Sequence, residues 1–262
     1  MGKVTSKDDT TIAFDRSGEG PALILVGGAL SDRSAARPLA ALLAPHFSVF
    51  GYDRRRRGDS GDTAPYAVER EVEDIEALIE EAGGSASVFG MSSGAVLALE
   101  AARRLPIARL ALYEPPFIVD DSRAPVPEDY VQQLAGLVSA GRRGDAVEYF
   151  MTKAVDVPAE YVAQMRNAPS WQAMEAVAHT LAYDGAIMGN TLSGHPLPAE
   201  RWAAVTVPTL VMDGGDSPLW ARNGVQAIVD ILPHAQHRTL AGQTHAVAPE
   251  VLAPVLVEFF GG

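Results

Sequence analysis

The chain has 262 residues, 47% of them apolar, enough to bury the core of one large domain and too many for a disordered chain. Asp and Glu number 33 against 21 Lys and Arg, and the net charge of −12 argues against nucleic acid or an anionic membrane as a partner. There is no cysteine, which excludes disulfides, thiolate nucleophiles and Cys-ligated metals. Residues 1–9 lack an apolar signal region and no apolar run reaches membrane-spanning length, so a cytoplasmic protein is expected.

Residues 10–15 read as a short strand, closed by a Gly/Pro turn at 17–21. Residues 22–26, Ala-Leu-Ile-Leu-Val, form the continuous apolar run that a strand buried on both faces requires. The run stops at Gly27-Gly28-Ala29, where the missing side chains let backbone approach a ligand. A helix-like stretch at 35–44 precedes a third strand at 47–52. Over 67–82, Val68, Val72, Ile75, Leu78 and Ile79 recur at helical spacing with acids on the opposite face.

The next strand, from residue 86, runs into Gly90-Met91-Ser92-Ser93-Gly94, and a helical run follows at 95–100. Strand, sharp turn and helix around Gly-x-Ser-x-Gly make a nucleophile elbow. The turn strains Ser92, and the positions two before and two after it pack too tightly to carry a Cβ. Ser92 is therefore predicted to present its hydroxyl at the C-terminal edge of a sheet, above the positive end of a helix.

Residues 110–113 read as another buried strand, stopped by Glu114-Pro115-Pro116. This alternation predicts an α/β fold, a mostly parallel twisted sheet with helices on both faces. The rhythm then breaks. From 117 to 201 only helices are visible, at 127–140, 145–153, 158–166 and 170–181. The expected division is a core over 1–116, a helical lid over 117–201 and the rest of the core over 202–262. Strands at 209–213 and 237–240 and helices at 221–229 and 249–260 complete the pattern.

A serine hydroxyl needs a base within hydrogen-bond reach and a third group to orient that base. In such a sheet the functional residues sit on loops leaving the C-terminal strand ends. Of the six histidines, His245 occupies the loop between the last strand and the last helix, whereas His46, His234 and His237 stand at the opposite edge and His179 and His195 in the lid. Three carboxylates stand at the correct edge: Asp216, Asp213 and Glu114. Asp216 is preferred, because two glycines let its loop swing towards His245. Two backbone donors must meet a developing oxyanion. Ser93 N–H supplies one, and Ala29, beside Gly28, supplies the other. The run Arg54–Arg57 reads as a solvated turn paired with acids. Trp171 in the lid and Trp220 after the acid loop are the predicted substrate contacts. The pocket is expected to be mainly apolar and to take a neutral hydrophobic acyl compound.

Through Gly27-Gly28-Ala29, Tyr52-Asp53-Arg54-Arg55-Arg56-Arg57-Gly58-Asp59-Ser60, Gly90-Met91-Ser92-Ser93-Gly94, Asp213-Gly214-Gly215-Asp216 and Gly242-Gln243-Thr244-His245, the chain resembles the α/β-hydrolase superfamily. The branch it resembles is Ser-dependent with a single lid, and holds small esterases, lactonases, perhydrolase-like enzymes and carbon–carbon-bond hydrolases. The resemblance implies the α/β-hydrolase fold with an inserted helical lid and a triad in the order Ser92, Asp216, His245. It also implies hydrolysis of a small ester, thioester or lactone through an acyl-enzyme on Ser92, with no cofactor and no metal. Two departures stand out. Gly27 replaces the histidine usual in the oxyanion loop, and Arg56 replaces a glycine, which implies a strained backbone at Arg56. Two other readings keep the same pocket: a non-hydrolytic cyclisation, rearrangement or perhydrolysis, and a ligand-binding receptor. A serine at the elbow speaks against dehalogenase and epoxide-hydrolase chemistry, which uses aspartate there. Homo-oligomerisation stays open.

Overall fold

In the computed structural model, which describes residues 1–262, the apolar runs become the strands of one eight-stranded sheet. In chain order these are β1 (Gly2–Thr5), β2 (Thr11–Ser17), β3 (Ala22–Val26), β4 (Ser48–Tyr52), β5 (Ala86–Met91), β6 (Ile107–Tyr113), β7 (Thr209–Gly214) and β8 (Ala235–Leu240). Their spatial order is β1-β2-β4-β3-β5-β6-β7-β8. The pairs β1–β2 and β2–β4 are antiparallel, and every other pair is parallel. The polar strand β1 carries no apolar alternation to announce it. It forms because Gly2–Thr5 complete the edge ladder of β2.

The strand β3 shows why the runs are apolar throughout. Leu23 and Leu25 enter one core, with Leu39 and Leu43 of α1 (Arg37–Leu43), while Ile24 and Val26 enter the other. That second core is built on α2 (Val68–Glu81) and α3 (Ser93–Ala102). Every residue of α3 is buried, so this helix has no solvated face and its stability comes from packing. Five helices lie between β6 and β7: α4 (Tyr130–Ser139), α5 (Arg143–Lys153), α6 (Ala159–Met165), α7 (Pro169–Val177) and α8 (Leu181–Met188). The sequence predicts one helix over 170–181. The structure instead breaks it at a 3-10 turn, Ala178–Thr180, and starts a new helix, α8, over a stretch apolar on nearly every side. Two helices, α9 (Leu219–Ile231) and α10 (Pro249–Gly261), complete the core. No helix is long and apolar enough to cross a membrane.

Candidate active site

The turn between β5 and α3 holds Ser92 at φ 56°, ψ −129°, a conformation that L side chains adopt only under constraint. The constraint is visible in the two flanking glycines. A Cβ on Gly90 would lie 2.5 Å from the carbonyl oxygen of Gly94, and one on Gly94 would lie 2.3 Å from that of Val26. Only hydrogen fits at either position, so backbone folds over backbone and Ser92 is pushed out at the strand end. Its amide donates to the Tyr113 carbonyl of β6 at 2.9 Å, which fixes the elbow against the neighbouring strand. The Ser92 hydroxyl makes no hydrogen bond within the protein and faces a cavity of about 760 Å³, a size suited to a small organic ligand.

His245 and Glu114 lie in the wall of the same cavity. The Nδ1 of His245 is 2.8 Å from Oε2 of Glu114, so Nδ1–H donates to the carboxylate and Nε2 is left free to take a proton. The other carboxylate oxygen accepts from Gly214 N–H at 2.8 Å and from the Ser217 hydroxyl. Burial alone would push the Glu114 carboxyl up. The hydrogen bonds from His245, Ser217 and Gly214 outweigh it and hold the group below the usual carboxylate range. Tyr113 anchors the histidine loop from below by donating to the Thr244 carbonyl at 2.7 Å.

Asp216, preferred from the sequence as the acid, is not paired with His245, and this corrects the predicted triad. The β7 loop folds back on the β8 loop through Gly215 N–H to Leu240 O (2.8 Å) and Asp216 N–H to Gln243 O (2.9 Å). That closure directs Gly214 N–H and Ser217 inward to Glu114 and leaves Asp216 exposed at the cavity rim, its carboxylate without a hydrogen bond. Asp213 is buried and turned elsewhere, accepting from His237 Nε2 (3.2 Å) and Arg222 (3.4 Å). Glu114 was legible as a candidate because it directly follows β6. Its selection depends on tertiary hydrogen bonds that the sequence does not display.

The loop that leaves β3 passes against Ser92. A Cβ on Gly28 would lie 2.9 Å from Cβ of Ser92, so only glycine allows this approach. Ala29 N–H has no acceptor in the protein, and Ser93 is the first residue of α3, where amides have no intrahelical partner. Both donors are available to a ligand oxygen. Gly27, where the resemblance leads one to expect histidine, leaves room for Ser31. A Cβ at Gly27 would lie 2.8 Å from Ser31 Oγ, which donates to the Gly28 carbonyl at 2.8 Å.

Residues 23–255 match the model of the alpha/beta hydrolase family. The chain belongs to that family. An alpha/beta hydrolase from Sphaerobacter thermophilus superposes on it with a TM-score of 0.93 at 60% identity, covering 99% of this chain and 100% of that one. The enol-lactonase of Burkholderia xenovorans superposes at 0.73 with 21% identity over 100% of both chains, a likeness of fold. In sequence, the pimeloyl-[acyl-carrier protein] methyl ester esterase of Xanthomonas axonopodis pv. citri is 29% identical over 253 residues, 89% of this chain and 91% of that protein. Its counterpart from Xanthomonas oryzae pv. oryzae is 30% identical over 244 residues, with the same coverage.

In this alpha/beta hydrolase the remaining predicted residues divide. Trp220 lies in the cavity wall, its ring under the Arg123 guanidinium at 4.7 Å. Trp171 does not reach the cavity, which corrects its predicted role. It is buried against its own helix, with Nε1 donating to Glu175 at 2.8 Å and Arg166 over the ring at 5.5 Å. The Arg54–Arg57 turn is paired with acids but not solvated, a third correction. Arg54, Arg55 and Arg57 are all buried, and only Arg56, at φ 62°, is open to solvent. Arg54 makes a bidentate pair with Glu71 at 2.7 and 2.9 Å, and both Arg54 and Arg57 reach Asp184 of α8 at 2.7 Å. Sequence reasoning missed Asp184 altogether. Its partners lie 91 to 130 residues away, and the all-round apolar helix that carries it offers no periodicity.

Proposed function

We propose that the protein is a serine hydrolase that cleaves a small, neutral, hydrophobic ester, thioester or lactone through an acyl-enzyme on Ser92. The observation that carries this reading is the Glu114–His245 pair in the wall of the cavity onto which the strained Ser92 opens. In the first step the Ser92 oxygen attacks the carbonyl carbon and its proton passes to His245 Nε2. Glu114 holds the ring and stabilises the imidazolium that forms. The carbonyl oxygen becomes an oxyanion received by Ala29 and Ser93 N–H. The tetrahedral intermediate expels the alkoxide or thiolate, which takes the proton from His245. Water then enters, loses a proton to His245 and attacks the acyl carbon. Ser92 leaves as the alcohol, and the acid is released.

The cavity wall supports the substrate class. Tyr130, Phe150, Met151 and Met188 from the helical insert and Trp220 from the core line the cavity onto which Ser92 opens, so the insert acts as a lid that gives the acyl group an apolar site. The curated relatives bear the name of a methyl ester esterase, which agrees with an ester as the bond cleaved. A receptor without chemistry fits less well. Ser92 and Glu114 both hold positive φ, at 56° and 43°, a cost that a binding pocket has no reason to retain. The test is hydrolysis of p-nitrophenyl acetate and butyrate, with fluorophosphonate labelling, in wild type and Ser92→Ala. Loss of turnover by at least about 10³-fold and loss of the adduct are expected. Turnover surviving in Ser92→Ala refutes the reading, and product free of ¹⁸O from labelled water points instead to non-hydrolytic chemistry.

A further inference from the structure

Asp184 is buried one turn into α8, and each of its carboxylate oxygens leads to a different half of the candidate oxyanion hole. Its Oδ1 accepts from the Ser93 hydroxyl and from Arg54 Nη1, both at 2.7 Å. Its Oδ2 accepts from Arg57 Nη2 at 2.7 Å. The other end of the Arg57 guanidinium, Nη1, donates to the carbonyls of Gly28 and Ser31, and Arg54 Nη1 also reaches the Gly27 carbonyl at 3.3 Å. Three carbonyls of the loop after β3 are thus held by two buried guanidiniums that a single carboxylate of the insert brings together.

The covalent geometry of the peptide gives this clamp a consequence. The Gly28 carbonyl and the Ala29 N–H belong to one planar trans peptide, so they point in opposite directions. Fixing the carbonyl on Arg57 fixes the N–H on the other side of the loop. Gly28 itself lies against Ser92, close enough that an added Cβ would come within 2.9 Å of it. On the second strut, Asp184 holds the hydroxyl of Ser93, whose own N–H is the other donor. Burial would push the Asp184 carboxyl up, but Arg57, Arg54 and Ser93 outweigh it and keep the group ionised.

We propose that Asp184 is a positioning residue for the oxyanion hole: through Ser93 Oγ and the Arg57–Gly28 contact, the helical insert sets the direction of both backbone donors. The insert is then part of the machinery that stabilises charge as well as the wall of the acyl site. The proposal rests on Ser92 being the nucleophile and Ala29 and Ser93 the donors.

Asp184→Asn keeps the shape of the side chain and removes the charge that gathers Arg54 and Arg57. On p-nitrophenyl acetate its kcat is expected to fall by about 10- to 100-fold with KM within about threefold, the cost of donors slightly out of place. Affinity for phenylboronic acid, which forms a tetrahedral adduct on the serine, falls in parallel with kcat/KM. Tyr183→Phe removes a hydrogen bond to Asp62 from the same helix (2.9 Å) without touching the clamp, and its kcat stays within about twofold. Should Asp184→Asn fail to fold, Arg57→Lys, which keeps the charge but cannot span Asp184 and Gly28, carries the same expectation. Wild-type kcat and boronate affinity in the folded variant, or an equal loss in Tyr183→Phe, overturns the proposal. Ser92→Ala measured alongside separates the two levels. Activity that survives it removes the nucleophile and the proposal with it, whereas a silent Asp184→Asn beside a dead Ser92→Ala removes only the positioning role.

Discussion

Glu114 sits at φ 43°, where a side chain costs on the order of 1 kcal/mol or more, and the contacts of its carboxylate show why the fold retains it. That backbone turn, one residue past β6, carries the carboxylate to His245 Nδ1, Gly214 N–H and Ser217 at once. Glu114→Gln keeps the shape but can present an amide NH₂ to Nδ1, which favours the wrong tautomer of His245. Its kcat on p-nitrophenyl acetate is expected to drop by about 10²- to 10⁴-fold. Asp216→Asn, by contrast, alters an unpaired carboxylate at the rim, and its kcat should stay within about threefold of wild type. The reverse ranking of these two variants would return the acid role to Asp216. The sequence placed both residues at the correct sheet edge, because edge position follows from strand order. It did not rank them, because the ranking depends on how two loops pair with each other across the sheet end. Ser92 and His245 were easier to find, since a Gly-x-Ser-x-Gly turn and a lone histidine before the last helix are both local signals.

Between elements, the most consequential departure from the sequence reading is the fate of the arginine run. Arg55 is buried with every nitrogen engaged. Its guanidinium meets Asp74 of α2 at 2.7 and 2.8 Å and Asp8 of the β1–β2 turn at 2.6 and 2.9 Å, with Thr10 and Ser6 completing the set. One residue therefore pins the N-terminal hairpin to α2 without lining the cavity. Removing one member of a buried pair leaves its partners desolvated and uncompensated. Arg55→Met is expected to lower the unfolding free energy by about 3–5 kcal/mol in urea titration, while the folded fraction keeps kcat within about threefold. A loss below about 1 kcal/mol would mean that water replaces the guanidinium without cost. The run of four arginines reads as solvated because the acids that pair its three buried members are 17 to 130 residues distant. The central strands β3, β4, β5 and β7, whose signal is a contiguous apolar run, were legible to within about two residues, while the polar edge strand β1 was not legible and β6 and β8 begin earlier than their apolar residues suggest. The helix α8 was not, because burial on nearly all sides erases the periodicity by which helices are recognised. Packing inside the elbow carries a further expectation: Gly94→Ala brings a Cβ within 2.3 Å of the Val26 carbonyl. Overpacking of this kind should cost about 1–3 kcal/mol and lower kcat as well, since the same shift moves Ser92.

For the molecule as a whole, the carboxylates tied into these networks decide how stability responds to acid. Burial would raise Glu114 and Asp184, and their hydrogen bonds and arginine partners lower both in net. Asp8, partly buried, is lowered chiefly by its hydrogen bond from Arg55. Asp74, on the same guanidinium, is instead pushed up to about 6 by burial and works the opposite way between about pH 4 and 6. In the unfolded chain the same groups return to the ordinary carboxylate range near 4. At Glu114, Asp184 and Asp8 the folded state therefore binds fewer protons wherever the pH lies between the two sets of values, and their contribution to stability rises with pH across that interval. The contribution is fully present above the unfolded values and is lost as the pH falls through the folded ones. Urea midpoints should accordingly hold level between about pH 7 and 8 and fall steeply below about pH 4, where only the lowered groups still titrate. Asp184→Asn, already weaker at neutral pH, should lose less on acidification than wild type, because its proton linkage at that site is gone. A wild-type midpoint that climbs relative to that of Asp184→Asn as the pH drops from 7 to 4 would show that desolvation outweighs the arginine and hydrogen-bond partners of Asp184. In that case the ionised Asp184 on which the clamp depends would not exist at neutral pH.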